Sequence, residues 1–169
     1  YAVYNADTVT VAQSLPSDSV GFSVFSPPFA SLYTYSNSER DMGNVKTHDE
    51  FWQQYRYLIK EQFRVMKPGR NIAIHCMNLP SSKQNDGFIG IKDFRGDIIR
   101  EYQSEGFIYH SEVCIWKDPV VAMQRTKALG LLHKQVKKDS CMSRMGLADY
   151  VVVMRKPGDN AEPISGEFK

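Results

Sequence analysis

The sequence is poor in cysteine. Cys76, Cys114 and Cys141 are odd in number, widely spaced, and form no CxxC or zinc pattern. That excludes a disulfide framework and reads as reduced thiols in a cytoplasmic protein. No apolar stretch approaches a membrane span and no signal peptide is visible, so no membrane partner is expected. An excess of one charge is lacking too. Lys and Arg number 21 against 19 Asp and Glu, a net charge of +2, so any basic surface is local. No internal repeat is present. No G-x-G occurs either, so the turn that lets backbone approach a nucleotide cofactor in α/β folds is absent.

What is present is ordinary globular material, 42% hydrophobic and 24% charged in 169 residues, which excludes a wholly disordered chain and suits one domain. The sequence is organised around Ser26-Pro27-Pro28-Phe29. Residues 20–25, Val-Gly-Phe-Ser-Val-Phe, read as a buried central strand. Two prolines stop it, because proline has no N–H to donate to a ladder. The prolines then hold the next residues at the strand's carboxyl end, where open α/β sheets place ligands. Ser26 offers a hydroxyl, Pro27 a carbonyl of fixed direction, and Phe29 an aromatic face. Two acceptors beside a flat ring suit a planar group carrying an NH₂, such as a nucleobase. The acceptors would draw its hydrogens out of plane and localise the nitrogen lone pair for attack.

A strand followed by Ser26-Pro27-Pro28-Phe29 resembles the catalytic motif of DNA methyltransferases that modify exocyclic amino groups, Ser/Asp/Asn-Pro-Pro-aromatic. The resemblance is to the subclass that puts the Pro-Pro motif first, DNA methylases of phage type included. It implies a three-layer, Rossmann-like α/β fold that depends on S-adenosylmethionine, mostly parallel with an antiparallel edge. It implies catalysis by Ser26, Pro27, Pro28 and Phe29 on a flipped base of DNA, cytosine N4 favoured over adenine N6 because Ser stands first. Asp7 follows a first predicted strand, residues 1–5, and is either the cap of the next helix or a neighbour of the cofactor's adenine, with Ser26 beside the cofactor methyl. In that subclass the Gly-rich motif lies downstream, so the resemblance covers only the catalytic half. A longer parent trimmed at both ends is expected, with the Gly-rich half after Lys169 as a partner and the exposed sheet edge able to pair two copies. Two other classes stay in view: a nucleic-acid-binding module that has lost the cofactor site, and an unrelated α/β domain in which Ser26-Pro27-Pro28-Phe29 is only a turn that ends a strand.

The remaining elements follow from local signals. Residues 8–15 have a helical pattern. Residues 30–46 are a long polar and aromatic loop in which Tyr33 and Tyr35 either stack on bases or pack the loop down. Thr47 and Glu50 form a capping box for a helix whose apolar stripe is Phe51, Tyr55, Leu58, Ile59, Phe63 and Met66, broadened by Trp52 and Tyr57. Residues 67–70 end it and 71–76 read as a parallel strand in which His75, with no identifiable partner, reads as a packed strand histidine rather than a base. Residues 77–92 read as a loop, Asp93 as the cap of a helix ended by Gly106, and 107–116 as a strand of imperfect alternation. Residues 120–148 are the most basic part, with a helical pattern over 123–136. Arg125, Lys127, Lys134, Lys137 and Lys138 are either a solvated face or contacts to DNA phosphates. Residues 149–154 are the last strand. The methyltransferase region is taken as 1–156, with 157–169 a polar tail.

Overall fold

The computed structural model describes residues 1–29, 36–45, 47–81, 83–126, 147–161 and 163, and of residues 85 and 123–126 only the backbone. Helix α1 (Thr8–Ser14) begins where Asp7 accepts a bond from Thr10 N at 2.9 Å. Strand β1 (Ser23–Phe25) leads into the prolines. Helix α2 (His48–Val65) starts at Thr47, whose hydroxyl accepts from Glu50 N at 3.1 Å, as the capping box requires. Strand β2 (Asn71–Met77) follows the turn at Pro68 and Gly69. Helix α4 (Phe94–Glu105) is capped by Asp93 and closed by Gly106 in the left-handed region, φ 109°. Strands β5 (Ile108–Ile115) and β6 (Asp149–Arg155) complete the main sheet, and helix α5 (Pro119–Thr126) follows β5.

The sheet order is β1-β2-β6-β5. Strands β1 and β2 are parallel, and β6 runs against both of its neighbours. Three strands therefore point one way and one the other, with the antiparallel pairing at the β5 side. The imperfect alternation of β5 has a physical cause. Tyr109 pairs with Met154 and Ser111 with Val153, so His110 is the extra residue of a bulge.

Helices α2 and α4 pack side by side on one face of the sheet, over Ile72, Ile74, Val152 and Met154, all fully buried. The aromatic stripe of α2 interlocks with Phe94 of α4, and Phe51, Trp52 and Phe94 lie within 5.7 Å of one another, centroid to centroid. Two of the three expected layers are thus in the described residues. The opposite face carries Val24, 69% exposed, and Val113, 59% exposed.

Several expectations need correction. Residues 1–5 join no sheet; Tyr1, Val3 and Tyr4 are exposed, since among the described residues no strand edge faces them. Strand β1 is an edge strand, not a central one, and is open on one face, with Phe22 60% exposed. Val20 makes only an isolated bridge to Met66. Residues 77–92 are not simply a loop, because β3 (Leu79–Ser81) and β4 (Gly90–Lys92) pair as a hairpin around the short helix α3 (Lys83–Asp86). Tyr57 turns outward, 66% exposed, because it falls opposite the Phe51–Tyr55–Ile59 stripe. Gln62 takes the inner position instead, where its Oε1 accepts from the Tyr102 hydroxyl, itself 3.3 Å from the Tyr55 hydroxyl. Burial raises the pKa of both tyrosines, so the chain of bonds stays neutral.

Candidate active site

Because β1 and β2 are parallel with Phe25 opposite Ile74, Ser26 emerges beside His75 at the carboxyl ends of both strands. The Ser26 hydroxyl is exposed and donates to the His75 carbonyl at 3.1 Å. Pro27 is buried and Pro28 half-buried, so the dipeptide is anchored while the serine is presented. Phe29 is half-buried, its ring meeting Phe94 in a T-shaped contact at 6.2 Å. The motif is therefore bolted to the helix-side core through its last residue and open to solvent through its first.

The antiparallel run of β6 brings Asp149 opposite Met77, at the same end of the sheet. Asp149 Oδ2 stands 3.3 Å from His75 Nε2, and Asp149 Oδ1 accepts from Lys117 Nζ at 2.6 Å. His75 Nδ1 in turn lies 3.4 Å from Ser26 Oγ. Sequence reasoning assigns His75 no partner, and this structure overturns that. The partners come from the ends of β1, β6 and β5. Strand order is what joins them, and no local pattern in the sequence carries it. Cys76, next along β2, points into the core, where burial pushes its thiol up to about 12. It is a packing residue at neutral pH, not a nucleophile.

Asp7 lies apart from this cluster. It caps α1, accepting from Thr10 N and Thr10 Oγ1, and the Thr10 amide holds its carboxyl below the usual aspartate range. The capping role is therefore present. The same carboxylate also borders a cleft of about 440 Å³ lined by Thr10, Arg40, Met42, Gln54 and Tyr57. Residues 36–45 wrap around Asp41, which accepts from Ser36 N at 2.6 Å and Gly43 N at 2.8 Å, and so form one wall of the cleft. Tyr33, Lys127, Lys134, Lys137 and Lys138 lie outside the described residues, as does the side chain of Arg125. No group of three His, Cys, Asp or Glu able to hold a metal occurs among the described residues, and no helix there is long and apolar enough to cross a membrane.

With that geometry in place, solved structures give the comparison. A candidate DNA modification methylase from Thermus thermophilus, solved with S-adenosyl-L-methionine, matches 94% of this chain and 54% of its own, with TM-score 0.66 and 20% identity. PvuII DNA methyltransferase, cytosine-N4-specific, matches 91% of this chain and 49% of its own, with TM-score 0.61 and 18% identity. The fold is that of S-adenosylmethionine-dependent methyltransferases. A third methyltransferase of this fold, from Archaeoglobus fulgidus, matches 92% of the chain and 68% of its own at TM-score 0.50 and 13% identity. No protein-family model and no curated protein matches the chain. The chain spans about half the length of the two DNA methylase structures. The α/β sheet with its antiparallel strand, expected from the sequence, is thus the methyltransferase one.

Proposed function

We propose that this chain is the catalytic region of an S-adenosylmethionine-dependent DNA methyltransferase that acts on the exocyclic amino group of a base. The observation that carries the reading is the exposed Ser26 hydroxyl, fixed at a parallel-strand carboxyl end and followed by a buried proline. Cytosine N4 is favoured, since Ser stands first in the motif and one matched structure is of a cytosine-N4-specific enzyme. An amino group engaged in base pairing is out of reach, so the target nucleotide would be flipped from the duplex. Ser26 and the Pro27 carbonyl would accept its hydrogens, and Phe29 would bear on the base. Catalysis on this reading is mainly positioning.

The residues fit the two sides of such a site unequally. The cofactor, when bound, supplies an electrophilic methyl group, and Ser26 would hold the acceptor nitrogen toward it. The adenosine side fits poorly, because no G-x-G occurs and Asp7 spends its carboxylate on Thr10. A Gly-rich half would complete the site from outside this chain. Among the described residues β1 has an unpaired edge, and that edge with the apolar face around Val24 and Val113 would offer such a half a seat, or a second copy of the chain.

The test is labelled methyl transfer to DNA by the protein that carries this chain, with Ser26→Ala as the variant. Loss of an oriented acceptor at the reacting nitrogen should lower kcat by about 100-fold, the scale seen when one positioned polar contact is removed from a reacting centre. Equal rates in the two proteins would refute the assignment. DNA retention without any transfer would favour the binding module, which the missing G-x-G also suits.

The basic segment has its own expected outcome. Replacing Lys134, Lys137 and Lys138 with Ala should weaken binding to all duplexes alike and flatten the salt dependence by about 0.9 in log–log slope per lost phosphate contact. Fluorescence anisotropy at several salt concentrations measures it. An unchanged slope would leave the segment a solvated face.

A further inference from the structure

Four side chains from four parts of the chain meet at the carboxyl ends of β1 and β2. Ser26 follows β1, His75 is in β2, Asp149 opens β6 and Lys117 follows β5. They share the face that carries Val24 and Val113, because Val24 is opposite Ala73 and Val113 opposite Val151. The Arg95–Glu112 ion pair sits behind them on the helix side, since Glu112 is opposite the buried Val152. Among the described residues, the charged groups facing the imidazole on its own side are Asp149 and, through it, Lys117.

Asp149 stands at Nε2, and a carboxylate there favours the tautomer that carries its proton on Nε2. Nδ1 is then an acceptor. Both groups that face the Ser26 hydroxyl, the His75 carbonyl at 3.1 Å and Nδ1 at 3.4 Å, are acceptors in that state. The hydroxyl has nowhere else in this cluster to send its proton. It donates inward, and its lone pairs are left facing out. Lys117 holds the second carboxylate oxygen and so keeps Asp149 turned toward the ring. At 40% exposure the imidazole is not a core side chain, which leaves packing as a weak explanation for its arrangement.

We propose that His75, held by Asp149, is a positioning residue for amino methylation: it fixes Ser26 as an obligate hydrogen-bond acceptor and is the final destination of the proton the amino group sheds. The inference rests on the methyltransferase reading above. The balance is closed. The newly methylated nitrogen carries one positive charge and one hydrogen too many. Its N–H bond breaks and the proton goes to Ser26 Oγ. The serine's own O–H bond breaks as Nδ1 takes that proton. The product amine is neutral, the hydroxyl is restored, and the imidazolium formed lies beside the Asp149 carboxylate. No oxidant or further reactant is needed.

Nitrogen-detected NMR of the histidine rings and steady-state methyl transfer test this separately. In the 169-residue chain, the neutral His75 ring should be the Nε2–H tautomer, and Asp149→Asn should erase that preference while the other histidines keep their shifts. In the protein that carries this chain, His75→Gln should lower kcat by about 100-fold, with KM for DNA nearly unchanged. A wild-type ring protonated on Nδ1, or full activity in His75→Gln, would overturn the role of His75 and leave the methyltransferase reading standing. Absence of transfer by the wild-type protein, with the tautomer as stated, would sink the methyltransferase reading and with it the catalytic role of the pair.

Discussion

Replacing Phe94 with alanine is expected to destabilise the protein by about 3–5 kcal/mol, the range for a large aromatic truncated in a packed core. Phe94 is fully buried at the crossing of α2 and α4, in ring contact with Phe51, Trp52 and Phe29. Phe51 and Trp52 are held in helix α2 and cannot collapse into the space left behind. Urea unfolding measures the loss, as a fall in midpoint with the slope preserved. A change below about 1 kcal/mol would mean the aromatic cluster relaxes, and that Phe94 is not its keystone. The effect should reach the candidate site as well. Phe29 has its edge against this ring, so the last residue of the Pro-Pro motif would lose its support while Ser26 kept its own bond to His75.

Gly69→Ala is the second large effect. Gly69 has φ +71°, and a Cβ built on it would fall 2.6 Å from the backbone nitrogen of Asn160. Left-handed strain for a non-glycine residue costs about 1–3 kcal/mol. Forcing backbone apart adds about 1–3 more. Gly87→Ala is the matched control, since its φ is +79° but nothing lies within 4 Å of the added carbon. Thermal unfolding should show a larger loss for Gly69→Ala than for Gly87→Ala. Equal losses would mean that the backbone near Asn160 yields freely. The site has a stake in this turn, because it feeds β2 and sets the register that puts His75 next to Ser26.

What could be read from the sequence divides along a physical line. Helix α2 was legible because its cap and its apolar stripe are both local, within four residues of each other. Helix α4 was legible for the same reason, from Asp93 to Gly106. The Ser-Pro-Pro stop after β1 was legible because proline ends a ladder wherever it stands. Burial of β1 was not, since Phe22 and Val24 look the same whether a neighbouring layer covers them or not. Residues 1–5 have strand composition, yet a strand needs an edge, and composition cannot supply one. Gln62 is polar and carries no core signal in the sequence, but the Tyr102 hydroxyl gives it the partner that makes burial tolerable. The hairpin of β3 and β4 is hidden by Pro80 inside a strand and by the helix between its arms. The His75–Asp149 pair depends on residues 74 positions apart meeting through strand order, which no periodicity encodes.

The place of β6 has a consequence during synthesis. It is the last described strand to leave the ribosome, yet it sits between β2 and β5. Until residue 155 has emerged, those two strands each present a bare edge, and Ile72, Ile74 and Cys76 lack their partners Met154, Val152 and Tyr150. The helix pair can dock early from local contacts, but the sheet closes only when its final segment threads into the middle. A nascent chain of this protein therefore spends its synthesis with sticky strand edges on view, and invites chaperones or a neighbouring polysome's product to occupy the gap first.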